Sequence, residues 1–487
     1  MRWRTGFTDF TGKIMKRIGA KIASLPPAVK ASTALLLASV AAKGIAYLAT
    51  PFYTRLLSAE EFGQASVFFT CMQLLGVFAT FNLSAGVFNN GMVDHPDRRD
   101  EYAASMLALS NLLTLLVMAV VIVTYPLTKQ WIDVDFELIC LMGLICLLEP
   151  AYSFWISRQR YEFKYKASTL FSILLALLSP ACAILAILAF PEHRLFARLF
   201  GAELPLLAAY AGFHIYIAAK GRRPDTSYWK QALLFNLPLI PHYLSMHMLS
   251  GSDRIKIANL IGPSEAAYYS VAYAIASVPS ILWSAINVSL VPITYESCKR
   301  KSYGAISRAA MPALFLFAGA CLALILFAPE LVGIMATADY LEAVYVVPPV
   351  IGGVFFQAQY VMCANVIYYF KRPRYVMYAS VTATICNLLL NFVFIRRFGY
   401  LAAGYTTLAC YLLQAAMDYF AMRKVAGGDV YHPKQLAALS AAVLLISLAS
   451  NVLYRFAAIR YAAIGALAIL CFAFRRSIRC ALGRARE

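Results

Sequence analysis

The sequence predicts an all-α polytopic membrane protein of about fourteen transmembrane helices, built as two pseudo-symmetric six-helix lobes plus two C-terminal helices. Three observations carry this. The 487-residue chain is 61% hydrophobic and only 14% charged, with a mean hydropathy of +0.67. That is more apolar surface than one soluble core hides. The apolar runs are continuous and about 20 residues long, enough to cross ~30 Å as helix, and they do not alternate as barrel strands do. The cations sit in short connections that are alternately rich and poor in charge.

Taken in order, the spans are 31–51, 64–84, 103–126, 136–157, 167–190, 196–219, 232–251, 266–290, 309–330, 343–368, 375–395, 400–421, 434–453 and 459–474. With the N-terminus inside, thirty-two Lys and Arg flank the cytoplasmic ends and ten the outer ends, with Lys43 left inside the first span. One wrong span would scramble this alternation, so the bias supports both number and orientation. Both termini are expected in the cytoplasm.

The organisation follows. Residues 1–30 are a basic cytoplasmic or interfacial segment, too charged before its apolar run for a secretory signal. Residues 31–219 form the first lobe, 220–231 a cytoplasmic linker and 232–421 the second lobe. Residues 434–474 hold the last two spans and 475–487 a basic tail.

An internal repeat backs the two lobes. At a shift of 204 residues, Leu56, Glu61, Ser66 and Val67 fall on Leu260, Glu265, Ser270 and Val271. At 212, Arg160, Ala167 and Ser168 fall on Arg372, Ala379 and Ser380. Six spans is an even number, so both halves keep one orientation and a site between them is expected. Polar stripes mark it. Ser32, Ser39, Lys43, Tyr47, Thr50 and Thr54 share one face of span 1, within ~80° of arc at ~100° per residue. Ser66, Thr70, Gln73, Thr80 and Ser84 share a face of span 2. The same shift carries Ser39, Lys43 and Thr50 onto Tyr243, His247 and Arg254, and Gln73 and Thr80 onto Ser277 and Ser284, in a stripe ending at Asn287. Small polar residues also serve helix packing, but matched stripes on four helices favour a shared hydrated cavity.

Charges at bilayer depth are costly and face a cavity or a partner. Lys43 is mid-span, too deep to snorkel easily, and Arg254 lies near the outer end of span 7. Glu149, Asp253 and Asp418 are candidates for ion coupling, with a structural ion pair as the competing role of Glu149. His242 and His247 are alternative proton carriers. Eleven scattered Cys residues without a C-x-x-C pair read as small hydrophobes. No nucleotide-binding loop, H-E-x-x-H or nucleophile elbow occurs. Neither enzyme activity nor a cofactor or metal is expected, and the net charge of +19 is read as membrane orientation, not nucleic-acid binding.

The stretches PFYTRLLSAEEFG (Pro51 to Gly63) and LSGSDRIKIANLIGPSEAAYYSVAYAI (Leu249 to Ile275), with the duplication, resemble bacterial polysaccharide flippases of the multidrug/oligosaccharidyl-lipid/polysaccharide exporter superfamily. The resemblance implies two six-helix lobes around a central cavity, alternating access, and export of undecaprenyl-pyrophosphate-linked sugars across the bacterial inner membrane. A polysaccharide polymerase complex is a possible partner.

On this reading Lys43 and Arg254 attract the pyrophosphate. Ser39, Tyr47, Thr50, Gln73, Thr80, His247, Ser277, Ser284 and Asn287 offer hydrogen bonds to sugar. The runner-up is an exporter of organic cations, whose site should be net acidic. A membrane glycosyltransferase or polymerase would carry an outside loop with catalytic carboxylates, and none is evident.

Overall fold

The computed structural model describes residues 27–467 and 469, apart from 85, 130–133, 163 and 222–223. Most of the basic N-terminal segment, the end of the last expected span and the basic tail lie outside the described residues.

The first half contains α1 (Pro27–Leu56), α2 (Ala59–Ala79), a short α3 (Val87–Asp94), α4 (Arg99–Thr128), α5 (Phe136–Tyr161), α6 (Tyr165–Ala189) and α7 (Arg194–Gly221). The second contains α8 (Ser227–Asn236), α9 (Ile240–Leu260), α10 (Pro263–Lys299), α11 (Tyr303–Leu326), α12 (Ala328–Met335), α13 (Val347–Tyr369), α14 (Arg374–Phe398) and α15 (Leu401–Ala426). Then come α16 (Pro433–Leu453) and α17 (Ala457–Leu467).

Eleven of these helices are long and apolar enough to cross a membrane. Three further expected spans are α9, α15 and α17. α9 is diluted by Ser250 to Lys256, α15 carries Asp418, Arg423 and Lys424, and α17 is followed by residues beyond those described. Many leucines and valines point outward, Val123 and Leu389 among them, as a lipid-facing surface requires.

The repeat is visible in the helix ends. α1 stops at Leu56 and α9 at Leu260, while α2 starts at Ala59 and α10 at Pro263, each pair 204 residues apart. Local chemistry sets these ends. Ser58 Oγ accepts the Glu61 amide at 3.1 Å, and Glu61 Oε2 accepts the Ser58 amide at 2.8 Å. This reciprocal cap starts α2. Pro263 occupies the first turn of α10, where its missing N–H is not needed.

Two differences break the symmetry. Span 2 was expected to run to residue 84, but α2 ends at Ala79 and the chain turns through Phe81 and Asn82, both at positive φ. Span 7 was expected as one helix over 232–251. It is broken into α8 and α9 by a 3₁₀ turn at Leu237–Leu239, beside Pro238 and Pro241, because proline removes a helix donor and crowds the preceding turn.

Packing separates the halves. α1 lies on α6, as its counterpart α9 lies on α14. α16 covers α13 and α11. Between the halves, α2 packs directly on α9 and α10. At the Arg55 end this contact is backbone-close: a Cβ on Gly63 would stand 1.8 Å from the Pro263 carbonyl oxygen. Thr54 Oγ1 donates to Met335 O at 2.8 Å there, and Phe62 meets Tyr340 edge-on.

Candidate functional site

α1 carries the expected polar face, and the structure divides that face between two neighbours. Ser39 and Thr50 line a pocket of about 530 Å³ inside the first half, with Tyr53, Phe69, Tyr152, Ser172, Arg198 and Tyr210. Tyr47 packs against the large apolar cluster that fills the second half and also takes in Leu57, Phe62, Ile187 and Ala197 of the first. Ser39 and Thr50 thus share a pocket with first-half residues. The stripe is ~80° wide, broad enough for α6 and α7 to claim one edge and α10 the other. Lys43 stands between them, exposed, with no hydrogen bond or ion pair among the described residues. Of Ser32 only the backbone is described.

On α2, Gln73 is exposed. Thr80 stands at the end of α2. It closes the helix: its Oγ1 donates to Gly76 O at 2.8 Å and accepts from the Asn82 amide at 3.3 Å.

Arg254 of α9 lies at the junction of α9, α10 and α2. Its Nε donates to Ser270 Oγ at 3.1 Å and its Nη1 to Ser250 O at 3.2 Å, and its guanidinium stacks on Tyr273 at 4.5 Å. Nearby, a Cβ on Gly251 would touch Thr70 of α2 at 3.0 Å. Its depth matches that of Thr50 in the repeat, two turns or about 10 Å along the axis from the Lys43 and His247 level. His247 is half-buried.

Ser277 donates to Ala274 O at 2.6 Å and Ser284 to Ser280 O at 2.9 Å. These hydroxyls are satisfied within their own helix while keeping acceptor capacity. Asn287 is a joint: its Oδ1 accepts from Asn365 Nδ2 of α13 at 2.8 Å.

The acids divide sharply. Asp253 is fully buried and accepts from Asn391 Nδ2 (2.6 Å), Thr407 Oγ1 (2.6 Å) and the Tyr269 hydroxyl, which ties α9 to α10, α14 and α15. Glu149 accepts from Ser153 Oγ at 2.5 Å. It makes no ion pair among the described residues, and the downstream Arg158 binds Asp100 and Glu162. Asp418 is fully buried, and neither carboxyl oxygen has a hydrogen-bond partner among the described residues. His242 Nδ1 is 3.0 Å from Ser380 Oγ.

One cation escaped the sequence reading. Arg198 was counted with the outer flank of span 6, yet it is 7% exposed and lines the first-half pocket. The available signal was its place inside the apolar run Leu195 to Phe200, after the true interfacial residue, Arg194.

The family described as polysaccharide biosynthesis protein matches residues 28–297, more than half of the chain. A probable low-salt glycan biosynthesis flippase of Haloferax volcanii is 21% identical over 392 residues, covering 78% of this chain and 80% of that protein. The lipid II flippase MurJ in an inward closed conformation superposes with a TM-score of 0.66 at 13% identity, covering 91% of this chain and all of that one. An inward-facing multidrug MATE transporter of the MOP superfamily gives 0.62 at 13% identity, covering 81% and 98%. The chain thus has the fold shared by those transporters, and it belongs to the polysaccharide biosynthesis protein family.

Proposed function

We propose that this chain is a flippase that moves a polyprenyl-pyrophosphate-linked oligosaccharide across the inner membrane by alternating access, with both termini in the cytoplasm. The observation that carries this reading is Lys43: an ammonium inside an apolar span, without a counter-charge among the described residues, flanked by hydroxyl-bearing faces. A cation at that depth is costly alone, and an anionic headgroup supplies the missing partner during passage. Arg254 offers a second cation about two turns further along. Gln73, His247, Ser277 and Ser284 contribute hydrogen-bonding groups toward sugar, while the polyprenyl tail stays in lipid.

Alternating access needs halves that separate. The close contact of Gly63 with Pro263 is the part of the interface that must open for release on the Arg55 side. Asp418 is the strongest candidate for coupling to an ion, because its oxygens have no hydrogen-bond partner among the described residues; those of Asp253 are engaged by three donors. Delivery to a polysaccharide polymerase would fit the same direction of transport.

Deleting the gene tests the reading. Surface glycan should fall and lipid-linked intermediate should accumulate on the cytoplasmic leaflet, with rescue by the intact gene. Unchanged glycan, or efflux of organic cations as the only lost activity, would replace it with the exporter reading.

A further inference from the structure

We propose that the pocket inside the first half is a binding site for an oxyanion, a carboxylate or phosphate group carried by the transported glycan or its lipid linker, with Arg198 as its anchor. This goes beyond the headgroup contacts assigned to Lys43 and Arg254, and it rests on the flippase reading only for the origin of the anion.

The pocket holds about 530 Å³ and is walled by α1, α2, α5, α6 and α7. Arg198 enters from the Arg55 end. Its guanidinium lies 4.4 Å from the Tyr53 ring centre, 4.7 Å from Phe62 and 5.9 Å from Phe69. It has no hydrogen-bond acceptor and no ion pair among the described residues, and Nη1 is fully enclosed without a partner.

A guanidinium has five N–H donors and does not lose its charge in proteins. It therefore cannot relieve burial by neutralising, as a lysine or a carboxyl can. Leaving such a charge buried and unpaired is strongly destabilising. Ring faces offset only part of this and accept no N–H in the plane of the fork. The deficit is one anion with two or more acceptor oxygens, the group that a guanidinium fork fits.

The remaining walls suit a sugar that brings such a group. Ser39, Thr50, Tyr152, Ser172 and Tyr210 present hydroxyls, and the tyrosine rings offer apolar faces. Glu203, on the same helix as Arg198, is buried but forms no ion pair with it. Arg198 also touches Phe62, which abuts Tyr340 of the second half, so an anion here would sit beside the contact that holds the two halves together.

Thermal unfolding of the purified full chain in nanodiscs, at constant ionic strength, tests this with three probes: glucuronate, inorganic pyrophosphate and neutral glucose. At least one anion should raise the unfolding temperature of the wild type, and glucose should not. The half-maximal concentration should increase about tenfold or more in Arg198→Gln and recover in part in Arg198→Lys. Ala46→Trp should also abolish the response by filling the pocket, with Arg198 left in its ring cage. That variant decides the matter should Arg198→Gln fail to fold.

An Arg198-dependent response to glucuronate assigns the pocket to a sugar carboxylate, and one to pyrophosphate assigns it to the linker. No response to either anion, an equal response to glucose, or a response that survives both Arg198→Gln and Ala46→Trp would overturn the proposal. Failure of the flippase reading would appear in the cellular glycan and intermediate, and would leave this binding result untouched.

Discussion

Asn236 donates its side-chain amide to the carbonyl oxygen of Phe81 at 3.0 Å, and also to that of Asn82 at 3.2 Å. The two ends of this link are the two breaks in the helical repeat. Phe81 and Asn82 have φ of 52° and 46°, a left-handed region costly for a residue such as Phe. Asn236 ends α8, just before the 3₁₀ turn. The interruption in the first half is thus held by the interruption in the second. Asn236→Ala should remove two buried hydrogen bonds across the halves and cost about 1–3 kcal/mol. Thermal unfolding should show the loss, and labelling of a cysteine placed at Gln73 should show whether α2 has moved from α8. An unchanged unfolding temperature would refute the role.

Gly63 makes a second cross-half contact testable. A methyl group there meets backbone, not a flexible side chain. Gly63→Ala should push α2 and α10 apart and cost about 1–3 kcal/mol through overpacking. Distances between spin labels at the Arg55 end should lengthen and export should fall. A variant with wild-type distances and export would show that the helices part there without cost.

Lys43→Ala should leave stability within about 0.5 kcal/mol, because no protein group loses a partner, and yet strongly reduce export. Lys43→Arg should keep more export than Lys43→Gln if charge is what matters. Protein level and surface glycan must be measured together. Normal export by a well-expressed Lys43→Ala protein would remove Lys43 from the mechanism.

The buried acids should respond oppositely to one substitution. Asp253→Asn puts an amide donor among the Tyr269, Asn391 and Thr407 donors and should cost about 2–4 kcal/mol. Asp418→Asn breaks no hydrogen bond and removes a carboxyl that is costly to hold as an anion. Its stability should stay within about 1 kcal/mol, while any dependence of export on the pH gradient is lost. Equal destabilisation by both changes would contradict the assignment.

Much of the fold is legible in the chain because its causes are local and additive. Continuous apolar runs set helix length, and the Ser58–Glu61 pair and Pro263 set helix starts. The two lobes follow from a repeat of the same periodicity. The candidate site is legible only in part. The mid-span position of Lys43 reads directly from the sequence, because an isolated charge in an apolar run needs no knowledge of its neighbours. Tertiary structure decided which neighbour each edge of the α1 stripe faces, that Asp253 is engaged and Asp418 is not, and that Asn236 binds the Phe81 turn. It also decided that Arg198 is a caged cation and not an interfacial one. The physical reason is that burial and hydrogen-bond satisfaction are pairwise properties of distant residues. Spacing along one helix fixes a direction around its axis, and what lies in that direction depends on how the other helices pack.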